Sequence, residues 1–270
     1  MSALSVIELR QYTLKGGRRE ALIELFRAEF IEPQAQAGGP VLGMFRDLDD
    51  PDRFVWLRGF AGMEQRKAAL EAFYGGAAWR AHRQAANATM VDSDNVCLLR
   101  PRESGRALQS ALGSDRTGVL RLSLHDLRGV MPYAFGAFFD ASLGPCIDAA
   151  GATVAIQLVT EDRFNSFPKL PVREDERLFV WGAWFADQAA EAAFSTRLAA
   201  QGGWRDGAPE AVLPALMKKP EVLRLQPAGS QHALSRGRRQ TGGENESPTR
   251  RFSRSLLQAR HSLFQVRPTF

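Results

Sequence analysis

The sequence predicts an α+β fold in which two ferredoxin-like units, each with the element order βαββαβ, pack sheet to sheet. The tripeptide FVW occurs twice, at 54–56 and 179–181. Further segments match in the same order along the chain: VIELRQYTL (6–14) with VLRLSLHDL (119–127), and NVCLLRP (95–101) with EVLRLQP (221–227). Because these markers recur in order, we predict a tandem duplication. The predicted organisation is repeat 1 at 1–101, a linker at 102–116, repeat 2 at 117–227 and a tail at 228–270.

Each element of the first unit is predicted from its hydrophobic period. The segment VIELRQYTL alternates as a strand does, and RREALIELFRAEFIEP (18–33) has apolar residues at helical spacing. Two strands, PVLGMFRDL (40–48) and RFVWLRGF (53–60), flank a turn rich in Asp and Pro. A second helix is predicted over EQRKAALEAFY (64–74) and onward through Trp79, and NVCLLRP is the closing strand.

The second unit follows the same plan. Trp204 aligns with Trp79 and Pro145 with Pro33, while RFNSFPKLPVRED (163–175) is an insertion of about a dozen residues. In a ferredoxin-like unit both helices cover one face of an antiparallel sheet, so the other face needs cover as well. The second sheet of the same chain is the simplest cover.

Three stretches of the first unit together resemble the NIPSNAP family: ELRQYTLKGGRREALIELFRAEFIEPQ, GMFRDLDDPDRFVWLRGF and AFYGGAAW. The resemblance covers residues 1–101 and extends more loosely over 117–227. It implies a bacterial-type member with a tandem repeat and the dimeric α/β-barrel architecture, in which two sheets face each other around a central barrel. The biochemical activity of that family is poorly defined, so the resemblance implies an architecture more than a function.

Alternation along the strands predicts a candidate site. We expect the small aliphatic side chains of the first and third strands to pack against the helices, which leaves the polar and aromatic ones between the sheets. Matched positions of the second unit add a histidine and a second tryptophan. The candidate ligand-binding residues are Glu8, Arg10, Tyr12, Trp56, Arg58, His125 and Trp181.

Two interpretations of these residues stay open. In one, the arginines anchor a small polar or anionic molecule in an inter-sheet cavity, without catalysis. In the other, Glu8 pairs with Arg10 or Arg58 in a structural ion network. A third, catalytic hypothesis is a cofactor-independent oxygenase or isomerase with Glu8 or His125 as the base and the two arginines stabilising negative charge. A purely structural protein predicts a filled barrel.

The charge of the chain lies mainly in its tail. The formal net charge is +5, and residues 228–270 hold eight arginines and two glutamates, so the rest is close to neutral. The composition of the tail predicts disorder. Its last part, RRFSRSLLQARHSLF (250–264), has apolar residues at helical spacing among arginines. It could contact an anionic membrane or an acidic partner, or remain a solvated tail. We expect no nucleic-acid partner, because the tail lacks interleaved aromatic residues.

Other signals are weak. The start of the chain has no basic segment leading into an apolar run, so we expect no secretory signal, and two cysteines, Cys97 and Cys146, are not a disulfide framework. A cytoplasmic location is the simplest expectation. Only His82 and His125 precede the tail, and no dinucleotide, P-loop or hydrolase motif occurs. We therefore expect no metal and no cofactor, and we expect a homo-oligomer.

Overall fold

The computed structural model describes residues 3–102, 105–113, 116–202 and 207–229. Trp204 and the tail from residue 230 onward, with its predicted disorder and amphipathic segment, lie outside the described residues. None of the described helices is both long enough and apolar enough to cross a membrane.

The described part of the first half contains four strands and four helices. The strands are β1 (Val6–Leu14), β2 (Val41–Asp47), β3 (Arg53–Phe60) and β4 (Met90–Pro101). The helices are α1 (Arg19–Leu25), α2 (Ile31–Gln36), α3 (Met63–Tyr74) and α4 (Ala77–Thr89), and a π-helical turn (Phe26–Phe30) joins α1 to α2.

The second half repeats this order after helix α5 (Gly105–Ala111). Its strands are β5 (Val119–Asp126), β6 (Val154–Thr160), β7 (Leu178–Phe185) and β8 (Glu221–Pro227). Its helices are α6 (Pro132–Phe138), α7 (Gly144–Ala149), α8 (Gln188–Ala200) and α9 (Leu213–Leu216), with a π-helical turn (Phe139–Leu143) between α6 and α7 and a 3₁₀ turn (Glu210–Val212) before α9.

All eight strands form one closed antiparallel barrel in the order β1-β3-β2-β8-β5-β7-β6-β4. Each half contributes four adjacent strands, β4-β1-β3-β2 and β8-β5-β7-β6, which have the same internal order. The halves join edge to edge, through Phe45–Asp47 with Leu225–Pro227 and through Leu99–Pro101 with Leu158–Thr160. The α+β class was predicted correctly. The two sheets were expected to be separate and stacked, but they are continuous. Pairing the edge strands of one sheet with those of the other gives every edge strand a partner on both sides.

The interior of the barrel is aliphatic. Ile7, Leu9, Val55 and Leu57 form one buried cluster with strand residues of the second half, among them Leu122 and Val180. The predicted side of the sheet was therefore wrong: the aliphatic set points inward, and the polar and aromatic set points outward to the helices. The physical reason is width, because the interior of an eight-stranded barrel is just filled by side chains of this size. Tryptophan and arginine side chains find more room under the helices.

Two segments that connect strands also pack on the barrel. The expected linker contains α5, whose Leu108 and Ala111 are buried in the interior cluster. The insertion at 163–175 crosses to the first half, where its Phe167 and Leu170 pack against Met63 and Leu70 of α3.

Candidate functional site

Four charged side chains meet under the helices of the first half, and we call Glu8, Arg10, Arg58 and Arg66 the Glu8 cluster. Glu8 on β1 lies directly opposite Arg58 on β3. Its Oε2 accepts from Arg58 Nε at 2.6 Å and from Arg10 Nη1 at 2.8 Å, and its Oε1 accepts from Arg66 Nε at 2.6 Å. All four side chains are at most 1% exposed. One carboxylate thus holds three guanidiniums.

This environment keeps Glu8 ionised. Burial alone raises the pKa of a carboxyl group, but the charges of Arg58, Arg10 and Arg66 outweigh it and hold the pKa of Glu8 well below its ordinary value of 4.5. A carboxylate with so low a pKa is a weak base, and its complete burial keeps it from a substrate. The role of Glu8 as a catalytic base is therefore not supported by the geometry.

Beside the Glu8 cluster lies a small enclosed space, the Trp56 cavity, of about 20 Å³. Its walls are aromatic: the rings of Tyr12 and Phe26 lie edge-on to Trp56, with centroids 5.8 and 4.9 Å away. Gln34, Tyr74 and Trp79 are the further lining residues with a side-chain oxygen or nitrogen. The space is large enough for about one water-sized occupant and too small for an organic ligand.

The second half has a similar contact with the charges exchanged. Arg121 occupies the strand position that corresponds to Glu8, and Glu191 on α8 occupies the helix position that corresponds to Arg66. Arg121 Nη1 donates to Glu191 Oε1 at 2.5 Å, and Arg224 Nε donates to Glu191 Oε2 at 2.7 Å. Burial raises the pKa of Glu191, but hydrogen bonds from Ser195 and Arg121 outweigh it and lower the pKa.

Above this ion pair lies a larger opening, the Ser123 pocket, of about 280 Å³. It is lined by residues of β5, β7 and α8, among them Arg121, Ser123, His125, Trp181, Leu198 and Ala199. Ser123 is 1% exposed and lies opposite Trp181 in the sheet. The indole Nε1 of Trp181 donates to His125 Nε2 at 3.1 Å, so the two aromatic side chains are fixed relative to each other.

Two polar atoms of this pocket are buried without a hydrogen-bond partner among the described residues: the Ser123 hydroxyl and Arg121 Nε. Buried polar groups are normally paired, and an unpaired one costs about 1–3 kcal/mol. Both atoms belong to residues that line a space that a small molecule can enter.

Side-chain size explains why one half has a pocket and the other a small cavity. Aligned by β1 with β5 and by FVW, the bulky Phe30 and Tyr74 of the Trp56 cavity correspond to Leu143 and Ala199 of the Ser123 pocket. Arg58 corresponds to Ala183 in the same alignment. Each change removes side-chain volume from the space beneath the helices, so the second half leaves room for a ligand.

The structure groups the predicted site residues into two places rather than one cavity. Glu8, Arg10, Tyr12, Trp56 and Arg58 come together beneath the first-half helices; His125 and Trp181 lie together beneath the second-half helices. The second sheet is not a lid over the first. The ligand-binding role of the first group stays a prediction, and its contacts are those of the structural ion network.

Sequence reasoning missed the helix residues that belong to the surroundings of the Trp56 cavity and of the Ser123 pocket. Arg66, Gln34 and Glu191 are at most 2% exposed. The sequence does contain a pattern that predicts burial of Arg66, because this residue lies on the apolar face of α3, at helical spacing with Met63 and Leu70. A charged residue at such a position needs a buried partner.

The comparisons with known proteins agree with this fold. The NIPSNAP family model matches residues 7–104. The predicted resemblance is thereby confirmed for the NIPSNAP segment of the chain. A NIPSNAP family protein of solved structure, from Agrobacterium tumefaciens, is 22% identical over 38% of this chain and 90% of its own, with a TM-score of 0.35. No curated protein sequence matches the chain.

Two longer structural neighbours match more of the chain than residues 7–104, which the NIPSNAP model covers. An anthrone oxidase-like protein is 13% identical and covers 84% of this chain and 94% of its own, with a TM-score of 0.55. A candidate monooxygenase from Lactobacillus acidophilus is 12% identical and covers 84% of this chain and 97% of its own, with a TM-score of 0.50. At these identities the likeness shows the shared fold alone.

Proposed function

We propose that this protein binds a small molecule bearing a carboxylate or carbonyl oxygen in the Ser123 pocket. The observation that carries the proposal is the pair of buried polar atoms without a partner among the described residues, Ser123 Oγ and Arg121 Nε, whose side chains belong to the lining of a pocket of about 280 Å³. A ligand oxygen that accepts from both satisfies two groups that otherwise remain unpaired, and this supplies affinity as well as orientation.

The rest of the lining limits the ligand to a small, partly apolar molecule. Trp181, Leu143 and Leu198 offer apolar surface, while the volume lies at the lower end of the range for organic ligands. Arg121 and Glu191 compensate each other's charge, so the pocket is not strongly basic. It accepts one negative charge, which binds at the Nε side of the Arg121 guanidinium.

The proposal moves the predicted ligand site from the space between two sheets to the space between the sheet and α8. Two of the predicted residues, His125 and Trp181, remain part of it. We also infer that the two halves are ferredoxin-like repeats. The equal strand order and the π-helical turns, which begin 20 residues after Val6 and after Val119, support this inference.

Native mass spectrometry of the full chain, purified without added ligand, is the first test. We expect a retained small molecule that is absent from Ala199→Trp, since Ala199 is exposed at the edge of the pocket and an indole there fills it. The matched control is Ala193→Trp, an exposed position of the same helix that does not line the pocket. The oligomer masses test the expected homo-oligomer in the same spectrum.

Calorimetric titration with benzoate, with benzyl alcohol as the uncharged match, tests the chemistry directly. We expect benzoate to bind more tightly than the alcohol, and Ser123→Ala to weaken benzoate binding about tenfold, which corresponds to one hydrogen bond. Bare protein in the mass spectrum together with no binding of benzoate contradicts the proposal. So does binding that is the same in Ala199→Trp and Ala193→Trp.

A further inference from the structure

The Trp56 cavity of the first half has a chemistry of its own, separate from the proposed ligand pocket. Three of the side chains around it carry a buried hydrogen-bond donor without a partner among the described residues: Gln34 Nε2, Trp56 Nε1 and Trp79 Nε1. The orientation of the Gln34 amide follows from its other atom, because Oε1 accepts from Arg58 Nη1 at 3.0 Å. An indole nitrogen can only donate. The unpartnered polar atoms of the lining are therefore all donors.

The charge around this cavity is positive. The Glu8 cluster carries one carboxylate and three guanidiniums, which is a net charge of +2 in a dry environment. The Cζ atoms of Arg10 and Arg58 lie 5.5 and 5.2 Å from the Trp56 ring centroid. Two guanidinium nitrogens, Arg58 Nη2 and Arg66 Nη2, also have no partner among the described residues.

Asp94 attracts Arg10 but is exposed at the surface, and the phenol of Tyr12, which lies inside the dry region, does not offset this excess. Tyr12 accepts from Arg10 Nε at 3.0 Å, but burial raises the pKa of its phenol, so it remains neutral. The stacking of the guanidiniums on aromatic rings spreads their charge without neutralising it. Unpaired buried charge is costly, and the cost falls when an opposite charge occupies the same dry region.

We propose that the Trp56 cavity is a binding site for one monoatomic anion of the size of chloride. A volume of about 20 Å³ admits a single such occupant. A water molecule fits the space as well, but it accepts no more than two of the three N–H groups and brings two hydrogens that need acceptors. An anion accepts from all three donors and is attracted by the adjacent guanidiniums.

The test is thermal unfolding of the full chain while sodium gluconate is replaced by sodium chloride at constant ionic strength. A ligand that binds only the folded state raises Tm without limit as its concentration grows. We expect a rise of about 3–5 °C for each tenfold increase in chloride above its dissociation constant. Bromide should act similarly, and crystals soaked in bromide should show an anomalous peak within hydrogen-bond distance of Trp56 Nε1.

Two variants remove one donor each, Trp56→Phe and Trp79→Phe. Either should raise the dissociation constant for chloride, so the rise in Tm begins at a higher chloride concentration, even if the Tm of the variant in gluconate is lower. The matched control is Trp184→Phe, because Trp184 Nε1 donates to Ala111 O, away from the cavity. A Tm that does not depend on chloride shows that the cavity holds water only and overturns the proposal. A rise in Tm that begins at the same chloride concentration in the wild type and in both donor variants overturns it as well, because the anion then binds elsewhere.

Discussion

Arg66 on helix α3 donates from Nε to Glu8 Oε1 on strand β1 across 2.6 Å. The corresponding contact in the second half, Arg121 with Glu191, has the arginine on the strand and the carboxylate on the helix. Both pairs tie a helix to the outer face of the barrel. An ion pair keeps its attraction when the two charges are exchanged, so both contacts can serve the same stabilising role.

The first prediction concerns Glu8→Gln. We expect a loss of about 3–5 kcal/mol in the free energy of unfolding, because three buried guanidiniums lose their only shared carboxylate. The measurement is urea denaturation followed by circular dichroism. The matched control is Glu20→Gln, whose carboxylate is 55% exposed and pairs with Arg46 on the surface. We expect a change below about 1 kcal/mol there. Equal losses in the two variants contradict a structural role of the Glu8 cluster.

The second prediction is the pH dependence of the same contact. The pKa of Glu8 is lowered in the folded protein from its ordinary value of 4.5, so its stabilisation is complete above that value and is lost as the pH falls toward the folded pKa. The difference in unfolding free energy between wild type and Glu8→Gln should be constant from about pH 6 to 8 and shrink below about pH 4.5. Other titrating groups cancel in this difference. A difference that grows as the pH falls contradicts the assignment.

The third prediction separates Arg58 from Glu8. In Arg58→Met, Glu8 still accepts from Arg10 and Arg66, and the buried excess of positive charge falls by one. What is lost is the contact with Gln34 Oε1 and the packing on Trp56. We therefore expect a loss of about 1–3 kcal/mol, less than for Glu8→Gln. The measurement is the same urea denaturation, and a loss equal to that of Glu8→Gln refutes the shared-carboxylate arrangement.

The sequence predicted which side chains share a face but not which face they share. Alternation groups Glu8 with Arg10 and Ile7 with Leu9 whichever way the strand is turned. The choice depends on the width of a closed barrel, and closure depends on pairing between β2 and β8 and between β4 and β6. Those contacts join residues more than 50 positions apart and leave no local pattern.

The Ser123 pocket could be predicted only in part. In the alignment of the two halves, His125 matches Tyr12 and Trp181 matches Trp56. The structure brings His125 and Trp181 into contact. What alignment could not give is the open volume, since that depends on small side chains such as Ala199 on a helix. An alanine in a helix is ordinary in sequence and matters here because a tyrosine stands at the matching position of the first half.

The last prediction uses the two cysteines. Cys97 on β4 is 2% exposed in the barrel interior, and burial raises the pKa of its thiol to about 12, so almost no thiolate forms at pH 8. Cys146 on α7 is half-buried. Iodoacetamide should therefore label Cys146 in the native protein and label Cys97 only after unfolding, as read by peptide mass spectrometry. Labelling of Cys97 at the rate of Cys146 in native buffer contradicts a tightly packed barrel interior, because the reagent reaches that sulfur only if the strands separate.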